Sequence, residues 1–153
     1  MANGIFIAPG SSFCWNVDAN VGIDCPNKTE DVQLVQLGYA SAAANPLYPH
    51  PELKPLYAKV VPGAIYTGRP DDPLSIAIKA QQKAVGGPQD GRISMIHRDG
   101  HYAQGTFWML CRLNKSIAVI LAQEWPHLDR HPRCPATLRD ASIRVLDGIK
   151  RRD

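Results

Sequence analysis

Apolar residues recur at helical spacing in separate stretches of this chain, each set off by proline, glycine or a capping side chain. In "PNKTEDVQLVQLGYA", Val32, Val35 and Tyr39 fall on one face, which predicts a helix from about Lys28 to Ala44. Asn27, with Glu30 three residues later, reads as a capping-box-like pair, and Glu30 and Asp31 suit the positive end of the helix dipole. The helix stops before "NPLYPHPELKP", whose four prolines force extended or turn geometry. "PELKPLYAKV" has room for one short helical turn, interrupted at Pro55.

The next start, "RPDDPLSIAIKAQQK", has Asp72 as cap and Pro73 at the first helical position, where its missing N–H costs nothing. Leu74, Ala77, Ile78 and Gln81 trace its face, and Gly86-Gly87 ends it. A third helix, "GTFWMLCRLNK", is read as capped by Thr106, with Phe107, Met109, Leu110, Cys111 and Leu113 giving a broad apolar surface. The apolar run "SIAVILAQEW" fits either a continuation of that helix or a buried strand. From Pro135 onward, Leu138, Ala141, Val145, Leu146 and Ile149 make an amphipathic helix with basic residues in its last turn. The pattern as a whole is mostly α.

Between these helices, "VPGAIYTGRPDDPLSIAIKAQ" and "QDGRISMIHRDGHYAQGTFWMLCRL" share an order of parts: a tight turn with glycine, a hydrophobic residue two positions on, a second turn, a cap and an apolar helix. Gly63 and Gly91 are expected at positive φ, with Ile65 and Ile93 tucked under the helix after each.

Composition adds limits. At 153 residues the chain is the size of one domain, with 44% hydrophobic and 20% charged residues, which excludes disorder throughout. A formal charge of +3, with basic residues scattered until the final "KRRD", supports only mild attraction to polyanions, and no stacking aromatics accompany that tail, so nucleic acid is not expected as a partner. The start "MANGIFIAPG" lacks the basic and long apolar regions of a secretory signal, and no apolar run approaches the ~18 residues of a membrane span. The expectation is synthesis in the cytoplasm, with any export by a route that needs no signal peptide. Cys14, Cys25, Cys111 and Cys134 are compatible with buried thiols or with one bridge, for which Cys14 and Cys25 are the favoured pair.

The turn-and-helix order, with "VGIDCPNKTEDVQLVQLGY" before it, resembles the peptidoglycan-binding-like domains, small three-helix modules of cell-wall hydrolases. The matching residues are Val21-Gly22, Asn27, Glu30-Asp31-Val32 and Val35-Gln36, then Gly63, Tyr66 and Gly68 with Ala77-Ile78 and Gln82, then Asp90-Gly91-Arg92 and Thr106 with Leu110. The form is similar to variants near contractile secretion systems, of the type VI kind, and phage-like lysis genes. Departures are Pro62 in place of the usual Asp, Gln81 in place of an aromatic, and a proline-rich insertion.

The resemblance implies a small three-helix peptidoglycan-binding-like bundle with turn-helix repeats, extended by a C-terminal amphipathic helix. It divides the chain into an N-terminal segment 1–19, a binding domain 20–115 with its insertion at 45–62, and an extension 116–153 packed on the same domain. It implies a non-catalytic module of bacterial origin that recognises peptidoglycan, needs no cofactor, targets a lytic or secreted partner and acts in the periplasm. Its expected ligand contacts are Tyr66, Arg69, Asp90, Arg92, Tyr102 and Thr106, where aromatic faces suit sugar rings and arginine suits carboxylates. An alternative is a protein-interaction adaptor of a secretion or phage-like system that grips its partner through Val145, Leu146 and Ile149 of the last helix.

A third alternative is a small wall hydrolase. "GSSFCWN" places Cys14 before Trp15, as in papain-like proteases, with His97, His101 or His127 as base; the upstream Gln and Cys-Gly pairing of that motif are absent. "HLDRHPRC" and "HRDGH" carry histidines at metal-compatible spacing, but Pro126, Pro132 and Gly100 break the helices that would align them, so solvated loop histidines are the reading and no metal is expected. Glu30, Glu52 and Glu124, the only glutamates, show no spacing that supports a glycosidase pair.

Overall fold

The computed structural model describes residues 3–7, 12–96 and 109–152, and over these the chain is mostly helical. An antiparallel hairpin opens it, β1 (Asn3–Ile7) against β2 (Ser12–Asn16), in a register that sets Ile5 opposite Cys14 and Asn3 opposite Asn16. β3 (Val21–Gly22) comes next, then α1 (Thr29–Ala44), a 3-10 turn at Pro51–Leu53, α2 (Lys54–Tyr57) and α3 (Pro73–Ala84). β4 (Arg92–Ile93) pairs antiparallel with β3, joining the second glycine turn to the segment before α1. α4 (Met109–Leu121) and α5 (Ala136–Arg152) complete the chain, linked through short 3-10 turns.

α1 is the mast of the domain. Every residue from Asp31 to Ala42 is buried, so the helix has no solvent face over that span and the one-sided pattern expected for it gives way to burial all round. Its closest neighbour is α4: a Cβ at Gly38 would stand 2.7 Å from Leu113 Cβ, so only glycine permits this approach. "SIAVILAQEW" accordingly resolves as helix as far as Leu121, with Ile117 fully buried.

A helix buried on every side must satisfy its polar side chains within the protein. Asp31 accepts the backbone N–H groups of Asp18 (3.0 Å) and Ala19 (3.1 Å). Gln33 Oε1 accepts the N–H of Leu138 in the first turn of α5 (3.1 Å). The Tyr39 hydroxyl donates to Gln81 Oε1 on α3 (2.6 Å), Ser41 meets His131 (2.9 Å), and Asn45 donates to Ser116 on α4 (3.2 Å). Each bond ties a different stretch of chain to the mast.

Several expectations are corrected by this arrangement. Asn27 does not cap α1: it lies at φ +51°, and its side chain brackets Gly22, accepting that residue's N–H (2.8 Å) and donating to its carbonyl (2.9 Å). The N-cap position falls to Lys28, with no side-chain cap bond. Pro55 does not interrupt the turn in the proline-rich stretch; it sits in the first turn of α2, where its missing N–H has no partner to lose. Residues 12–17 of the N-terminal segment contribute to the core: Trp15 and Val17 are fully buried, and Trp15 Nε1 donates to the Pro126 carbonyl (2.9 Å). Asp72 does cap α3, accepting from Leu74 N–H (2.9 Å) while also holding Thr67.

Candidate functional site

The two glycine turns are held by equivalent side chains. Gly63 N–H donates to Gln36 Oε1 (3.0 Å), and Gln36 Nε2 donates to the carbonyl of the next residue, Ala64 (3.0 Å). Gly91 N–H donates to Gln82 Oε1 (3.0 Å), and Gln82 Nε2 donates to the carbonyl of the next residue, Arg92 (2.9 Å). A carboxamide offers one acceptor and two donors on a planar group, so it copies the pairing of a neighbouring strand at a place where no strand runs. Gly63 has φ +89° and Gly91 has φ +73°, the left-handed geometry expected of both.

The chain leaves the two turns differently. Ile93 is fully buried in β4, whereas Ile65 is 93% exposed, which corrects the expectation that both isoleucines tuck beneath a helix. Gln82 also holds Asp90 Oδ1 (2.8 Å), and β4 pairs with β3, so Ile93 is drawn inward by a strand partner. Among the described residues no strand pairs with the chain at Ala64, and Ile65 stays out, flanking a shallow cavity of about 170 Å³ with Val61 and Pro73.

This geometry places the expected contact residues. Asp90 Oδ1 accepts Arg92 N–H (3.0 Å), the Arg92 guanidinium donates through Nε to the Ile23 carbonyl (2.9 Å), and its other end stands 3.9 Å from Asp24. Cys25 lies on the same face; burial pushes its thiol up, with the charges of Arg92, Asp90 and Asp24 all close enough to act on it. Tyr66 is half-buried, its hydroxyl bonded to Ser75 in the first turn of α3 (2.6 Å), and burial raises its phenol. Asp90 and Arg92 are thus gathered beside Cys25, whose Sγ shares the Ile23 carbonyl with Arg92 Nε (3.4 Å and 2.9 Å). Arg69 is not: it is exposed and pairs with Asp71 (3.1 Å). Tyr102 and Thr106 lie outside the described residues, as do His97, Asp99 and His101.

Cys14, the nucleophile expected for a wall hydrolase, lies on β2 beside α4. The Cys14 thiol is buried 3.9 Å from Cys111 Sγ, and that neighbour together with burial pushes its pKa up, opposite to the depression an attacking thiolate needs. All four cysteines are free, so the favoured Cys14 and Cys25 bridge is absent: β2 carries Cys14 toward α4 instead. His131 is also withdrawn from solvent. Arg133 N–H donates to its Nδ1 (3.0 Å), which leaves Nε2 to donate to Ser41 Oγ, and burial lowers its pKa to about 4. A histidine that donates to a serine is not that serine's base. Among the described residues no group of three metal-ligating side chains converges.

Comparison with protein-family models, with curated proteins and with solved structures finds no match for this chain. Among the described residues no helix is long and apolar enough to cross a membrane.

Proposed function

We propose that the chain is a non-catalytic binding module that recognises bacterial peptidoglycan. In this reading α1, α3 and α4 are the three helices of a peptidoglycan-binding-like bundle, α5 is its extension, and the module targets a lytic or secreted partner to the wall. The observation that carries the reading is the pair of clasped turns: the two glutamines that match the family pattern, Gln36 and Gln82, hold the two glycines that match it, Gly63 and Gly91, by the same bonds. The ligand face is the one around Cys25, where Arg92 offers a guanidinium to wall carboxylates and Tyr66 an apolar ring edge to sugars. Arg69, Tyr102 and Thr106 are its further expected contacts.

Co-sedimentation with purified sacculi at ~0.15 M salt, where charge attraction alone is screened, is the test. The chain is expected in the pellet, to leave it after muramidase digestion, and to be retained less when Arg92 is replaced by Ala. A chain that stays in the supernatant overturns the proposal.

A protein-interaction adaptor is favoured by one observation, the exposure of Ile65 (93%) and Val61 (53%) beside the shallow cavity at the first turn. Of the anchors expected for that function, Val145 and Leu146 pack half-buried against the core, and Ile149 is half-buried as well. A photo-crosslinker at position 65 captures a discrete protein if the chain is an adaptor, and no protein if that face is free.

A further inference from the structure

Two thiols meet where the N-terminal hairpin joins α4. Cys14 lies in β2 and Cys111 in the first turn of α4, 97 positions further along the chain. The Cys14 thiol donates to Cys111 Sγ at 3.9 Å, and both side chains are nearly closed off from solvent, at 9% and 5% exposure. A disulfide requires the two sulfurs to close to ~2.05 Å while their backbones stay within bridging distance, so what matters is what holds β2 against α4.

Asn114, one turn beyond Cys111, does so. Its carboxamide accepts the N–H of Trp15 (2.7 Å) and donates to the Trp15 carbonyl (2.9 Å), and it also donates to the Leu110 carbonyl of its own helix (2.9 Å). The residue after Cys14 is thereby fixed against the turn of α4 that carries Cys111. Trp15 is held again by the bond from its indole to the Pro126 carbonyl, so the two sulfurs cannot drift apart without breaking buried hydrogen bonds. The other cysteines are engaged locally: Cys25 donates to the Ile23 carbonyl (3.4 Å) and Cys134 to the Pro135 carbonyl (3.6 Å). The fold therefore selects a pair that spacing along the chain does not, since Cys14 and Cys25 are much nearer in sequence.

We propose that Cys14 and Cys111 are a redox-responsive pair, open as thiols in a reducing medium and closed to a disulfide in an oxidising one, where the bond locks the hairpin to α4. The oxidant is a second disulfide. One cysteine gives its proton to solvent, and its thiolate attacks a sulfur of that disulfide and displaces a thiolate. The other cysteine, deprotonated in turn, attacks the protein sulfur of the mixed disulfide, forms the bond between Cys14 and Cys111 and displaces the second thiolate. The protein loses two protons and two electrons, and the oxidant, gaining them, ends as two thiols. Burial and the neighbouring sulfur push the Cys14 thiol up, which makes it slow to attack and, once bonded, a poor leaving group, so the closed form resists reduction. The ring it closes contains α1, α2, α3 and both clasped turns, and it restricts most of the unfolded chain. Wall binding plays no part in this step, so either proposal can fail without the other.

The test uses the full chain, purified reduced, and a variant with Cys25→Ser and Cys134→Ser, both at half-buried positions, which leaves only the buried pair. Each is incubated at pH ~8.5 with oxidised glutathione, in one arm as folded protein and in the other during refolding from urea, because exchange at a shielded thiol of raised pKa is slow. Remaining thiols are then capped with N-ethylmaleimide in urea. The oxidised variant is expected to take no cap and to weigh two hydrogens less than the reduced one, and peptide mapping of the natural chain is expected to join Cys14 to Cys111; closure in either arm supports the proposal. The closed form should melt about 10 °C higher, and dithiothreitol should reverse the rise. The proposal is overturned if both thiols of the variant are capped after both arms, if the natural chain joins a different pair, if the bond links two chains, or if it forms without raising the midpoint.

Discussion

Alanine placed at each positive-φ glycine separates backbone strain from close packing. At Gly68 (φ +73°) and Gly86 (φ +78°) an added Cβ meets nothing within 4 Å, so these positions report the conformational cost alone, about 1–2 kcal/mol. Gly63 adds only an ordinary contact with Pro135 at 3.4 Å and should match them. At Gly91 the Cβ would stand 2.7 Å from Ile23 Cδ1 and 3.3 Å from Lys79 Cε, atoms at the ends of side chains, which raises the cost to about 2–3 kcal/mol once they shift. At Gly22 it would stand 2.1 Å from the Gly91 carbonyl oxygen and 2.9 Å from Arg92 Cα, where backbone must move and the β3–β4 pairing with it. That change should cost about 3 kcal/mol or more. For a chain of this size each kcal/mol moves the midpoint by about 2–4 °C, so thermal melts of the five variants should fall in the order Gly68, Gly86 and Gly63 together, then Gly91, then Gly22. A Gly22→Ala melt equal to that of Gly68→Ala would refute the packing argument.

Other consequences are as direct. His131 binds a proton near pH 6.5 when unfolded but only near pH 4 when folded, so its contribution is complete above pH 6.5 and is lost as the pH falls toward 4. At 1.36 kcal/mol per pH unit this gap corresponds to about 3 kcal/mol, and urea unfolding between pH 7 and 4 should show a steeper decline for the natural chain than for His131→Gln; equal slopes would exclude His131 as the source. Gln82→Leu strands the Gly91 N–H and Arg92 carbonyl and should cost about 2–4 kcal/mol in denaturant unfolding, whereas Gln36→Leu strands the Gly63 N–H and Ala64 carbonyl of a turn with fewer other ties and should cost about 1–3 kcal/mol. Alkylation of the native protein and measurement of its intact mass should show Cys25 modified first, because burial pushes the Cys134 thiol up to about 12 and Cys14 and Cys111 are shielded. Reduction alone should leave the mass unchanged.

The elements with local signals were legible in the sequence. Asp72 before Pro73 marks the start of α3, and Gly63 and Gly91 mark turns, because cap and φ preferences act over a few residues. Features decided by long-range pairing were not. The hairpin of β1 and β2 rests on pairing between two separate runs, with Ile5 opposite Cys14, and those runs carry no helical period to announce it. Asn27 carries a residue type that caps helices and brackets strands equally well, and only the nearness of Gly22 chooses between them. The same holds for Ile65 and Ile93, which share a local pattern and differ because β4 has a strand partner.

The candidate site divides in the same way. Asp90 and Arg92 could be placed on a turn from their own neighbourhood, but the approach of Asp24 and Cys25 to them depends on the β3–β4 pairing. The equivalence of Gln36 and Gln82 was only partly visible, because the clasped glycines lie 27 and 9 residues away.

The measurement that bears most directly on the proposed function is a single incubation of the purified full chain with sacculi at ~0.15 M salt, with assay of both pellet and supernatant. A non-catalytic wall-binding module is expected in the pellet, with no soluble muropeptide released. Protein left in the supernatant would contradict wall binding, and muropeptides released by the chain alone would contradict its being non-catalytic.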